Sequence, residues 1–225
     1  WGRDTFISLP GLCIALDDWR MFRLAIDTMI DDFKDGFFPN IGEGTQAAYN
    51  SIDAPLWFFW ALQQYAYIND ARKEVWQAYN GVMRSILENF SEGTSNVRMD
   101  SNFLLWQGED GKALTWMDAI VNGQPVTQRK GYAVEINALW YNAVMFYREL
   151  AKLQCQDGEI AKWDEFAANF PTNFKATFWS KELGYLADYV DGSYKDFSVR
   201  CNMIFASSLE YSPISPKIRQ LIVEK

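Results

Sequence analysis

The chain has 225 residues, 49% of them hydrophobic and 16% aromatic, with a formal net charge of −8. That length and apolar content suit one sizeable globular domain, and the acidic balance without a basic stripe argues against nucleic acid or an anionic membrane as a partner. Histidine is absent, which excludes Ser-His-Asp and Cys-His catalysis and the usual His-bearing zinc sites.

No Gly-rich phosphate loop occurs, and no apolar run is long enough to span a bilayer. Cys13, Cys155 and Cys201 lie far apart, with neither a disulfide framework nor a metal-ligand spacing. A reducing, cytoplasmic setting without metal or cofactor is the expectation. If the chain is an enzyme, carboxylates are its acid and base.

Thr5 to Leu16 is apolar on nearly every side, so a buried helix is predicted, with Pro10 kinking it or marking its start. Asp17 and Asp18 can cap the helix after it. From Trp19 to Phe33, Phe22, Ile26, Met29, Ile30 and Phe33 recur at helical spacing between charged residues, which predicts an amphipathic helix. Gly36, Pro39, Gly42 and Gly44 mark a loop. Asp53 is placed to cap the next helix, with Pro55 in its first turn. That helix is almost wholly apolar. After Asn69 and Asp70 comes another amphipathic one, with Val75, Tyr79, Val82, Met83, Ile86 and Phe90 on one face.

Asn96 to Gln107 reads as short strands or a hairpin. A polar excursion comes next, from Leu114 to Trp140, with Asp118 beside Trp116 and Met117. From Glu135 a third helix is apolar nearly all round. Beyond Gly158, Ile160, Trp163, Phe166 and Phe170 give one apolar face, and a second segment continues past Pro171 to Trp179. Gly184 to Tyr194 is a candidate hairpin. Asn202 to Leu209 is a fourth buried segment, and Pro213 and Pro216 introduce a last short helix. Buried helices thus alternate with amphipathic ones, the pattern of helical hairpins arranged as an inner and an outer ring. An irregular helical bundle is the alternative.

In a double ring the inner helices all run one way, so their N-termini share an end. The polar clusters sit just before those helices: Trp1-Gly2-Arg3-Asp4, Tyr49 to Asp53, Glu135 to Asn137, and Arg200 to Asn202. The alternation therefore predicts that residues distant in order line one pocket. Carboxylates among indoles suit a neutral polar ligand such as a sugar, whose C–H face stacks on an indole ring.

The blocks WGRDTFISLPGL, YNSIDAPLWF, LTWMDA, GYAVEINALWYNA and NMIFASSLEYSP resemble, in order, those of the glucosidase domain of glycogen-debranching enzymes. These are the amylo-α-1,6-glucosidases of the bacterial and archaeal type. The resemblance covers essentially the whole chain. It implies an all-α fold, an α/α toroid of the six-hairpin type seen in glucoamylases, with short β-hairpin excursions. It also implies inverting hydrolysis of the α-1,6-linked glucose at a branch point of glycogen or a branched maltooligosaccharide.

Inversion needs one protonated carboxyl and one carboxylate that activates water, roughly 6.5–9.5 Å apart. Asp118 is the candidate general acid, with Trp116 and Met117 expected to desolvate it; an Asp capping a turn is the plain alternative. The resemblance makes Arg3 and Asp4 the pair that grips sugar hydroxyls, against a helix-entry ion pair with Asp4 as cap. Asn50 and Asp53 are further sugar contacts, Asp53 being first a cap by position. Trp1, Trp57 and Trp116 are candidate stacking platforms, Trp57 being the one expected in the core. Glu135 and Asn137 line the pocket, or Glu135 is tied to Arg129 as a structural pair. Arg200 faces the same pocket. The family continues Arg-Pro-Asn-Gln here, whereas this chain has Arg200-Cys201-Asn202-Met203.

The chain begins inside a motif and supplies fewer hairpins than a closed ring needs. Residues 1–225 are therefore expected to be part of a toroid from a longer polypeptide. The general base is then expected beyond Lys225, with Asp196 and Glu210 as weak candidates within the chain. An open ring edge would favour self-association. A non-catalytic glucan-binding toroid and a purely structural helical domain are the competing functions. A terpene-cyclase-like toroid is disfavoured because Asp31 and Asp32, with Asp35 three residues later, stand on a wet face beside a glycine loop.

Overall fold

In the computed structural model, residues 1–40 and 48–225 are described; Gly42 and Gly44 of the expected loop lie outside them. Helix α1 spans Gly2–Leu9 and passes directly into a π-helical stretch, Pro10–Ile14. Pro10 has no N–H to give the helix before it. Its carbonyl accepts from Ala15 N at 3.0 Å, the wider i+5 spacing. The predicted buried helix is therefore two segments. It is also less covered than expected: Ile7 is 40%, Leu12 63% and Leu16 75% exposed.

Helix α2, Trp19–Asp31, is capped by Asp18, whose carboxylate accepts from Met21 N at 2.9 Å. Helix α3 spans Asp53–Ile68 and α4 spans Arg72–Glu92. The cap expected of Asp53 falls instead to Ser51, whose Oγ accepts from Ala54 N at 3.4 Å, and Asp53 lies within the first turn. Strands β1 (Val97–Met99) and β2 (Leu105–Gln107) form the expected antiparallel hairpin. A second small hairpin joins β3 (Ile120–Val121) to β4 (Gln124–Pro125), and β5 (Tyr132–Ala133) leads into helix α5, Val134–Leu153.

Helix α6 (Asp157–Ala161) precedes α7, Asp164–Phe178. The two segments expected around Pro171 are one helix. A helix-interior proline costs about 3 kcal/mol, and a ladder of buried rings offsets it. Phe166, Phe170, Phe174 and Phe178 recur at four-residue spacing, successive centroids 4.8, 5.9 and 4.7 Å apart. The hairpin expected near Gly184 is two hairpins. Strand β6 (Trp179–Ser180) pairs with β7 (Tyr185–Leu186), and β8 (Tyr189–Asp191) pairs with both β9 (Tyr194–Asp196) and β5. Helices α8 (Asn202–Ser208) and α9 (Pro216–Val223) end the chain.

The architecture is mostly helical. Helix α1 packs on α3, α3 on α5 and α5 on α8, in chain order, while α2, α4, α7 and α9 lie against their partners outside this row. Helix α5 is the centre, buried on all sides from Val134 to Val144, as its nearly continuous apolar sequence requires. Among the described residues, no helix is long and apolar enough to cross a membrane.

Asn137 ties this centre to the β1–β2 hairpin. It is fully buried, accepts from Leu105 N at 2.8 Å and donates to Leu105 O at 3.1 Å and Ala133 O at 3.0 Å. The pocket-lining role expected of Asn137 is therefore corrected, because every polar atom of its amide is committed to backbone. Asn137→Ala strands a buried N–H and two carbonyls. At about 1–3 kcal/mol for each unmatched group, it should lower unfolding stability by at least about 3 kcal/mol in urea titrations.

Candidate active site

The polar clusters do converge. Two sets of hydrogen bonds, one joining the first turns of α1 and α3 and one those of α5 and α8, meet at the segment Trp116-Met117-Asp118. Arg3 of α1 forks onto Asp53 of α3, with Nε at 2.7 Å and Nη2 at 3.1 Å, and its Nη1 donates to Asp118 Oδ2 at 2.9 Å. Ser51 accepts from Arg3 and donates to Asp53 at 2.6 Å. Trp116 donates its indole N–H to Asn202 of α8 at 2.8 Å, and Asn202 donates to Asp188 at 2.6 Å. Asp188 also accepts from Arg129 Nε at 2.9 Å, and Arg129 pairs with Glu135 of α5 through both terminal nitrogens.

Gly2 has a local reason. Its N–H donates to Pro39 O, and a Cβ there would sit 2.9 Å from that oxygen. A side chain at this position would push α1 away from the rim.

Two arginines organise the rim. Burial by itself would lower the pKa of Arg3, but Asp53, and then Asp118, outweigh it and leave it raised. Arg129 is treated likewise: burial opposes its charge, and Glu135 and Asp188 more than compensate. Its side chain is 2% exposed, and Nη1 and Nη2 also reach Thr115 Oγ1 and Asp188 O. Arg200 donates to Asp188 and Asp196, each at 2.7 Å. Burial raises the Asp196 pKa, yet the bonds from Ser198 and Arg200 prevail and hold it below the usual carboxylate range.

Asp118 is not enclosed as expected. Its side chain is 45% exposed and charge-paired with Arg3, while Trp116 is 40% exposed beside it. The Trp116-Met117-Asp118 segment is a loop at the open side of the rim, because its indole is drawn toward α8 and its carboxylate toward α1. Trp1 is 70% exposed at the start of α1. Trp57 lies in the core as expected, edge-on to Trp60 and Phe205.

Other expectations change. Glu135 is 1% exposed, and the Arg129 pair takes both of its carboxylate oxygens, so it does not line an open pocket. The helix-entry pair of Arg3 with Asp4 is absent: Arg3 turns to Asp53 and Asp118, and Asp4 is exposed in the first turn. Asn50 is half-buried and accepts from Asn40 at 3.3 Å. Glu210 comes after α8 at the opposite end, next to Tyr211, which bonds Asn142 and Glu149 far along α5, so it cannot act at this rim. Asp196 faces Arg200 in the rim cluster, where both its oxygens are engaged.

Asp188 is the residue that sequence reasoning missed. It is 2% exposed and accepts from Arg129, Arg200 and Asn202. The signal available was a lone carboxylate inside the apolar run Tyr185-Leu186-Ala187-Asp188-Tyr189-Val190. An acid in such a run is buried with a partner or not buried at all.

The family model described as amylo-alpha-1,6-glucosidase matches residues 1–225. The chain belongs to the amylo-alpha-1,6-glucosidase family. The glycogen debranching enzyme of Saccharomyces cerevisiae is 24% identical over 246 residues, a match covering 81% of this chain and 16% of that protein. A solved GH78 family rhamnosidase of Bacillus sp. GL1 superposes with a TM-score of 0.58 at 15% identity, over 89% of this chain and 20% of that one. This family member therefore spans a small fraction of both relatives, and the rhamnosidase likeness bears on fold alone.

Breaking one partner of a buried ion pair leaves the other charge uncompensated, at about 3–5 kcal/mol. Arg129→Met should lower stability by that order in chemical denaturation. The loss should be larger than for Arg23→Met, whose pair with Glu74 is half exposed on both sides and belongs to a class worth about 0–1 kcal/mol.

Proposed function

We propose that the chain is the glucosidase part of a glycogen-debranching enzyme, cutting the α-1,6-linked glucose at a branch point with inversion. The observation that carries the reading is the Arg3 bridge between Asp53 and Asp118 at an open rim, on a chain of this family. The row α1, α3, α5 and α8 is read as an arc of an α/α toroid. Residues 1–225 are read as part of that domain in a longer, cytoplasmic polypeptide. Free thiols at Cys13, Cys155 and Cys201 suit a reducing setting. Exposed Ile7, Leu12 and Leu16 are the surface through which the isolated chain would self-associate.

In this reading Trp1 and Trp116 offer ring faces to the sugar, and Arg3, Asp4 and Asn50 offer polar groups to its hydroxyls. Asp53 holds the Arg3 fork in place. Arg200 and Glu135 support the rim from behind. Bound hydroxyls compete for the Arg3 N–H that Asp118 holds, and the glucan excludes water from the loop. Asp118 then carries the proton, gives it to the glycosidic O6 and frees the 6-hydroxyl of the chain. Water attacks C1 from the opposite face, and its proton passes to a carboxylate base outside residues 1–225. The product is β-glucose.

The second reading, glucan binding without cleavage, draws on one observation: Asp118 is exposed and ion-paired rather than desolvated. Asp118→Asn in the full-length protein separates the two. Hydrolysis of a branched dextrin bearing single-glucose stubs should fall by about 10²–10⁴, with binding of the same dextrin retained by calorimetry. The glucose first released by the unaltered protein should be the β anomer by NMR. Hydrolysis that survives in Asp118→Asn removes the acid from this site. The purified 225-residue chain should release little glucose from that dextrin; robust release would return the base to these residues.

A further inference from the structure

Asn202 sits where a side chain must accept on one side and donate on the other. The indole N–H of Trp116 is a donor and nothing else, and an ionised carboxylate is an acceptor and nothing else. Between them, Asn202 takes the N–H on Oδ1 at 2.8 Å and gives Nδ2 to Asp188 at 2.6 Å. Its other amide hydrogen lies against Met117 Sδ at 3.4 Å. Turning the amide over would set donor against donor and oxygen against carboxylate, so its orientation is fixed. Asp188 is itself immobilised by Arg129 and Arg200. Asn202 is fully buried, whereas the indole it holds is 40% exposed.

Among the described residues, the side chains of Trp116, Met117 and Asp118 bond only Asn202 and Arg3. A single neutral hydrogen bond contributes only about 0.5–1.5 kcal/mol net, so the larger consequence of this one is orientation. We propose that Asn202, braced by Asp188, is a positioning residue that fixes the face of Trp116 and the reach of Asp118 toward substrate. The inference rests on the reading of this rim as the glucan site.

The test is a double-mutant cycle in the full-length protein, acting on a branched dextrin with single-glucose stubs. Trp116→Phe keeps an aromatic face and loses the N–H. It should raise KM and lose on the order of tenfold to a hundredfold in kcat/KM, close to Trp116→Ala. Asn202→Ala should raise KM and also lower kcat, because Asp118 shifts with the segment. The double variant with Phe should be no worse than Asn202→Ala. Losses that multiply, or a Trp116→Phe rate near wild type, overturn the proposal. If Asn202→Ala does not fold, the comparison of Phe with Ala at position 116 decides alone.

A readout free of activity is the ¹⁹F resonance of 5-fluorotryptophan at position 116, assigned by its loss in Trp116→Phe. In Asn202→Ala it should move or split, and an unchanged line overturns the proposal. Undiminished hydrolysis in Asp118→Asn would count against this rim as the source of the acid while leaving the fluorine result to judge the positioning role.

Discussion

The buried Arg129 guanidinium is the constraint on which the rim depends. Taking a charge out of water costs on the order of several kcal/mol per ion, and the cost is met only if partners surround it. Here Glu135 supplies two oxygens, Asp188 a carboxylate oxygen and a carbonyl, and Thr115 a hydroxyl. Those partners come from the start of α5, the approach to β8 and the loop before Asp118. Satisfying one cation therefore fixes three segments together. Asp188 extends the arrangement to α8 through Asn202 and Arg200. The first turns of α5 and α8 are thus held by charge, above the apolar packing that joins their bodies.

Arg3 repeats the design in the open. It too forks onto a buried carboxylate and reaches a second one, but that second partner, Asp118, is 45% exposed, whereas both carboxylates on Arg129 are nearly sealed. The difference separates structure from chemistry. A saturated, water-free cluster gives a ligand nothing to displace, while a charge pair at an open rim can exchange one partner for a hydroxyl. The Arg129 cluster is a sealed frame, and the Arg3 cluster is the part with room to exchange a partner.

The alternation of buried and amphipathic helices was readable, because a 3.6-residue period is a local property of sequence. That polar residues distant in order gather near the starts of α1, α3 and α8 could also be read, since Arg3 and Asp53 meet Asp118 while Asn202 meets Trp116, two residues away. The pairing of one residue with another was not readable. Asp53 looked like a cap, and Asp4 like the partner of Arg3, because sequence neighbours are the only neighbours a sequence displays. Asn137 looked like a pocket residue for the same reason: its partner Leu105 is thirty-two positions away. Pro171 looked like a break because the local rule is right, and only the packed row of phenylalanines overrides it. Asp188 left a trace, a charge in an apolar run, but nothing local says what it meets.

The rim's carboxylates also differ in what holds them. Asp4, Asp53 and Glu135 stand in the first turns of α1, α3 and α5, where unpaired N–H groups and the helix dipole favour a negative charge. Asp188 and Asp196 are fastened to arginines inside the cluster. Asp118 is on a loop, away from any helix start, and among the described residues its one charge partner is Arg3. A carboxylate at the start of a helix keeps the favour of the dipole, and one sealed among arginines keeps its partners. Asp118 has neither: it depends on one guanidinium and its side chain is 45% exposed, so that pair is the contact of its cluster open to exchange with water or another polar group.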